Sequence, residues 1–253
     1  MHVQTCEDLE IRLLSGSPAL ASRGGVSILP ASSHAARLVA FLGVHRGERV
    51  SRDRLVDLLG LSRAADPRAA LRKAVWQVNN STDGRFLRGT RTDLGLADGV
   101  RVDYQEARER CLGLLRRGFT EVATADLPAR FRAQLESEVL GEFEEDWVVA
   151  CRQEWQRLRL EVLHGLAEAE LIRGNARAAV ISAEQVVRCD PLREGAWHTL
   201  LSALLASRHR AAARQRFNEL VDLLRDDLGV APMFSWEELL EDPPRAPVTG
   251  LWV

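Results

Sequence analysis

Short alternating runs of hydrophobic and polar positions open the chain and give way to a helical period. Residues 8–30 read as short strands: "LEIRLLSG" alternates, "SPALASRGG" carries turn signals, and "VSILP" is a second apolar run. In "SSHAARLVAFLGVHRG" the residues Ala36, Leu38, Val39, Phe41 and Leu42 supply one apolar helical face. Ser32 or Ser33 is its cap, and Gly43 or Gly47 its stop. "VSRDRLVDLLG" predicts a second helix with Ser51 as N-cap, Leu55, Val56, Leu58 and Leu59 inside, and Gly60 just past its end. Asp66-Pro67 starts a third, because the carboxylate caps free N–H groups and proline is tolerated at the first helical position. Stepping about 100° per residue, Leu71, Ala74, Val75 and Val78 share one side of it. Arg68, Arg72, Lys73, Trp76, Gln77, Asn79 and Asn80 occupy the other. "STDG" closes this helix. "RFLRGT", the turn-like "RTD" and "LGLADGVRVDY" then predict a two-stranded ribbon with a further turn at Asp98-Gly99.

From Tyr104 to about Trp236 the pattern is helical almost throughout. Two pieces repeat at an offset of 34, beginning at Leu166 and Leu200. Leu171 then matches Leu205, Ala178-Ala179 match Ala212-Ala213, and Val187 matches Val221. That period, with small residues where two helices cross, is the tetratricopeptide pattern. Pro191, in the turn "RCDPLREGAW", is expected to open the next helix. The fold class expected is mainly α. Residues 1–104 form an α+β winged helix-turn-helix domain, residues 105–240 an all-α domain of tetratricopeptide-like repeats, and residues 241–253, rich in proline, a mobile tail.

Composition narrows the function classes. Apolar residues at 46% permit a sizeable core, and the formal charge is only −2. Its distribution is uneven: residues 1–104 carry 15 Lys+Arg against 11 Asp+Glu, so the remainder is net acidic. A basic N-terminal part hints at nucleic acid. Cys6, Cys111, Cys151 and Cys189 lie far apart, without zinc-site spacing or a secretory context, which points to free thiols in a reducing cytoplasm. The N-terminus lacks the apolar core of a signal peptide, and no apolar run approaches the 18 residues of a membrane span.

Helix, short loop, helix and ribbon is a winged helix-turn-helix order, whose second helix enters a major groove. Arg68, Arg72 and Lys73 are candidates to neutralise phosphates or donate to guanine. Gln77, Asn79 and Asn80 are candidates for adenine edges or phosphates. Arg88 and Arg91 are placed at the ribbon's tip, and Ser51 and Arg52 at a helix start where backbone N–H groups can meet phosphate. A solvated helix face is the alternative reading of the same charges. Trp76, mid-face among polar groups, is expected to fold back on the ribbon, its other roles being to cover a sugar or base or to meet a partner. The helical repeats point to a protein-binding surface. The acidic run "GEFEEDW" lacks the ligand spacing of a calcium loop and fits a helix start with acids at its positive end. No H-E-x-x-H, G-x-S-x-G or G-x-x-x-x-G-K-[ST] motif is present, so neither an enzyme nor a cofactor is expected.

From Leu9 to Leu240 the chain resembles the Streptomyces antibiotic regulatory protein family. The most specific stretches are "GEFEEDWVVACRQEWQRLRLEVLHGLAEAELIRGN", the turn Pro191 to Glu194, and the ending Leu228 to Pro232. "GERVSRDRLVDLL" and "DPRAALRKAVWQV" are similar to the family's two motif helices. The resemblance implies an OmpR-type winged helix joined to a bacterial transcriptional activation domain. It implies an activator that binds direct repeats in duplex DNA, recruits RNA polymerase and forms homodimers. Where the family's second helix continues Ser-Arg-Leu-Arg-Arg, this chain has Trp76, Gln77, Val78, Asn79 and Asn80, three arginines fewer. That departure leaves two other readings: a protein-interaction adaptor with a degenerate winged helix, and a regulator that answers to a small ligand.

Overall fold

The computed structural model describes residues 9–14, 18–22, 27–28 and 30–241, so the expected tail lies outside the described residues apart from Glu241. The chain forms two compact units, residues 1–110 with 133–156, and residues 111–132 with 157–253.

In the first unit, β1 (Leu9–Arg12), β2 (Ala19–Ser22) and β3 (Ser27–Ile28) pair antiparallel in succession. β7 (Arg101–Val102) joins β1 in parallel, giving the order β3-β2-β1-β7. The segment "SPALASRGG", expected as a turn, thus contains a strand: pairing with β1 supplies the backbone hydrogen bonds that its Ser and Gly content argued against. Helix α1 (Ser33–Val44) is capped by Ser32, whose hydroxyl accepts from the Ala35 N–H. It ends at Val44 with Gly43 buried inside it, so neither glycine is its last residue. Gly47, at φ +90°, shapes the turn beyond.

The strand β4 (Val50–Ser51) leads into α2 (Arg52–Leu58), capped by Ser51 on the Arg54 N–H. Gly60 turns the chain at φ +65°. Helix α3 (Pro67–Ser81) starts with the Asp66 carboxylate on the Ala69 N–H and buries Leu71, Ala74 and Val78 against α1 and α2. β5 (Leu87–Gly89) and β6 (Asp93–Leu96) form the antiparallel ribbon, with β4 on the outer edge of β6. This is the helix, turn, helix and ribbon of a winged helix.

Two anchors complete the unit. Asp103, at the start of α4 (Asp103–Arg117), is 5% exposed and accepts from the N–H groups of Leu13 (2.7 Å), Leu14 (3.2 Å) and Tyr104 (2.6 Å). Burial pushes its carboxyl up to about 6, against the lowering effect of those three donors. A carboxyl raised in the folded state contributes stability that is full below its unfolded pKa and is lost as pH rises through 6. Hydrogen exchange at the Leu13 and Leu14 amides is therefore expected to show their opening free energy falling between about pH 4 and pH 6, by at most about 3 kcal/mol, and level above that. Asp103→Asn should flatten that pH dependence. The second anchor is the start of α6 (Asp146–Ile172), where Trp147 donates to the Leu58 carbonyl (3.1 Å) and meets Phe41 edge-on. Trp155, 1% exposed, packs edge-on against Tyr104 and donates to the Ser137 carbonyl (2.9 Å). The acidic run does precede this helix start, with Asp146 in its first turn.

The second unit holds the rest of α4 and α6, the beginning of α5 (Ala129–Glu136), and α7 (Ala176–Cys189), α8 (Glu194–Ala206), α9 (Arg210–Leu228) and α10 (Trp236–Glu241). Leu171, Ala179 and Ala203 form one core cluster where α6, α7 and α8 meet. Leu201, Ala213, Phe217, Trp236 and Leu239 form the next, joining α8, α9 and α10. The 34-residue period is thus physical: Ala179 and Ala213 are both fully buried crossing residues. The turns between paired helices carry left-handed residues at Gly174 (φ +82°) and Arg208 (φ +63°), also 34 apart. Glu170, 2% exposed, accepts from the Thr124 N–H (2.5 Å) and the Asn175 side chain (2.8 Å). Pro191 lies in the turn before α8 rather than in its first turn, and its carbonyl accepts from the Trp197 indole (2.7 Å).

Candidate nucleic-acid interface

The three buried residues of α3 fix which side faces out. Arg68, Arg72, Trp76 and Asn80 recur every fourth residue along the opposite side and are all exposed, with Lys73 beside them. Four residues advance a helix by about one turn, so this stripe runs about 18 Å along the axis. Arg68 pairs with Asp53 (3.1 Å) and Arg72 with Asp66 (3.7 Å), all four side chains being well exposed. Such solvated pairs contribute little to stability, about 0–1 kcal/mol, and exchange readily for phosphate. Lys73 has no ion-pair partner among the described residues.

Gln77 and Asn79 depart from the expectation. Gln77 is half-buried, and its side-chain oxygen accepts from the Ser32 hydroxyl (2.6 Å), tying α3 to the start of α1. Asn79 is half-buried too: its Oδ1 is enclosed without a hydrogen bond from any described residue, and its backbone carbonyl accepts from Gly84 (2.8 Å). Because α3 packs on both α1 and α2, its buried arc is wider than a single apolar stripe, and these two amides fall within it. Trp76 departs in the other direction. It is 64% exposed and does not fold back on the ribbon.

The ribbon splits the remaining expectations. Arg91 sits exposed in the turn between β5 and β6. Arg88 is not at the tip: it lies within β5, half-buried, and pairs with Asp98. The Arg52 N–H donates to the Thr92 carbonyl (2.9 Å) and its guanidinium to the Thr90 carbonyl (3.2 Å). Ser51 is occupied as the α2 cap (3.3 Å to the Arg54 N–H). Two of the groups expected for phosphate are thus engaged within the protein. The same bonds have a positive consequence. They fasten the ribbon turn to the start of α2, and the Asp53–Arg68 pair fastens that start to α3. Ribbon tip, α2 and the exposed stripe of α3 converge on one side of the unit. Two exposed arginines that the sequence reading passed over border this convergence: Arg54 in the first turn of α2, and Arg49, 4.0 Å from Asp93 of the ribbon. The signal for Arg54 was present, since it lies three residues after the Ser51 cap and precedes the inward pair Leu55-Val56.

Elsewhere the described residues offer little chemistry. No group of three or more His, Cys, Asp or Glu among them is arranged to hold a metal ion. Burial pushes the Cys151 thiol up to about 11, which keeps it protonated. No described helix is long and apolar enough to cross a membrane.

The comparisons agree with this architecture. A family model for the bacterial transcriptional activator domain matches residues 105–241. A solved structure of Mycobacterium tuberculosis EmbR, in complex with a low-affinity phosphopeptide, is similar with a TM-score of 0.70 at 20% identity, covering 92% of this chain and 64% of that one. The match therefore spans less than two thirds of the length of that structure's chain. No curated protein matches it. The likeness to that structure is one of fold, and the family match marks a transcriptional activator-type regulator. The chain belongs to the bacterial transcriptional activator domain family.

Proposed function

We propose that the chain activates transcription by binding promoter DNA through the exposed stripe of α3, with Arg91 of the ribbon turn and Arg54 of α2 on the adjoining phosphates. The carrying observation is the convergence just described: five exposed cations (Arg54, Arg68, Arg72, Lys73 and Arg91) and an exposed indole on elements fastened together by backbone and side-chain bonds. A preformed cationic surface meets duplex phosphates without a large ordering cost. The helical repeats of the second unit are the face offered to RNA polymerase or to a second protomer. Direct-repeat sites and a homodimer follow from the family resemblance, as does action inside the cytoplasm. A gel shift of the full chain against the DNA upstream of its own coding sequence, at low salt, tests the reading. A retarded band is expected. Its absence at every concentration short of aggregation would favour an adaptor that keeps only the protein-facing unit.

A further inference from the structure

Trp76 stands apart from the other described tryptophans. The indoles of Trp147, Trp155 and Trp197 each donate to a backbone carbonyl, and Trp236 is buried in a core cluster. Trp76 is 64% exposed, and among the described residues it makes no hydrogen bond, ring contact or cation–π contact. It sits one turn beyond Arg72 and one turn before Asn80 on the stripe proposed to face DNA. What sets Trp76 apart is its setting: a large aromatic face with a free N–H donor, amid the exposed cations of α3, offers both apolar area and a polar handle to whatever covers that stripe.

The charge around Trp76 narrows the partner to a polyanion, and the groove chemistry narrows the contact. A helix in the major groove meets base edges, while the π faces remain stacked within the duplex and out of reach. Of the four base edges there, only thymine carries an apolar group, its C5 methyl. The phosphate backbone beside it is the province of Arg72 and Lys73. We infer that Trp76 reads thymine methyl groups within the binding site, making it a specificity-determining residue. The inference rests on the proposed DNA-binding function. The indole N–H, a donor without an acceptor capacity, is free to meet thymine O4 on the same edge.

Deoxyuridine lacks only that methyl group, so it isolates the contact. The full chain is used to enrich duplexes from a random-sequence library, and each thymine of the enriched site is replaced in turn by uracil. At one or two positions the loss of a methyl should weaken binding by about fourfold each. Trp76→Ala should bind the thymine duplex more weakly and should no longer distinguish uracil from thymine at those positions. Circular dichroism of the variant checks that it is folded, which an exposed site makes the expected result. Enrichment followed by uracil-insensitivity everywhere, or sensitivity that survives in Trp76→Ala, overturns the inference and leaves DNA binding standing. Failure to enrich any duplex overturns the DNA-binding reading and this inference with it.

Discussion

Replacing Arg72 and Lys73 together by alanine is expected to weaken binding to the target duplex by roughly 10- to 100-fold near physiological salt, and to flatten the plot of log K against log salt by roughly one to two units. Both side chains are exposed on α3, and neither packs in the core, so the double variant should unfold at the wild-type urea concentration. Among the described residues the one tie lost is the exposed Arg72–Asp66 pair at 3.7 Å, which leaves Asp66 capping the Ala69 N–H. Counterion release is the reason for the slope: each phosphate neutralised frees condensed cations, so removing two contacts removes their share of the salt dependence. Fluorescence anisotropy over a salt series separates this from a specificity change, which would alter affinity for one sequence and leave the slope intact.

Trp155→Ala carries the largest expected stability effect. The side chain is 1% exposed, lies edge-on to Tyr104 at 6.0 Å, and satisfies the Ser137 carbonyl. Truncating a buried tryptophan costs about 3–5 kcal/mol, a large fraction of the 5–15 kcal/mol typical of a domain. Leaving the Ser137 carbonyl unpaired adds to the loss. The urea midpoint of the first unit should fall by roughly 2 M, given slopes of about 1–3 kcal/mol/M. Hydrogen exchange at the Tyr104 and Leu140 amides locates the loss in that unit. Trp155→Phe, which keeps most of the ring and loses the indole donor, should fall between the two.

Local signals were legible in the sequence wherever one side chain acts on nearby backbone. Ser51 and Asp66 each cap the amide three residues on, as their positions predicted, and Ser32, one of the two serines expected to do so, caps α1. Leu71, Ala74 and Val78 face inward as the helical period required, and the 34-residue offset places Ala179 and Ala213 in equivalent crossings. What the sequence hid depends on tertiary neighbours. The period gives the direction of Gln77 and Asn79 but not the width of the arc that α1 and α2 cover. Arg88 is held by Asp98 because the ribbon brings them together, not because of their spacing. The strand β2 exists because β1 and β3 pair with it. Residues 133–156 group with residues 1–110, although the helical pattern continues through them without a break, since an amphipathic helix records an apolar face and not its partner. Trp76 was legible as an anomaly and only the structure decided its direction.

Hydroxyl-radical footprinting of the full chain with and without an enriched duplex reports whether the exposed stripe of α3 is the surface that meets DNA. Trp76 (64% exposed) in the first unit and Met233 (88% exposed) in the second are both reactive side chains open to solvent, so the free protein should be oxidised at both. Bound duplex is expected to protect Trp76 strongly and to leave Met233 reactive. Undiminished oxidation of Trp76 at a duplex concentration that saturates the protein would contradict that expectation.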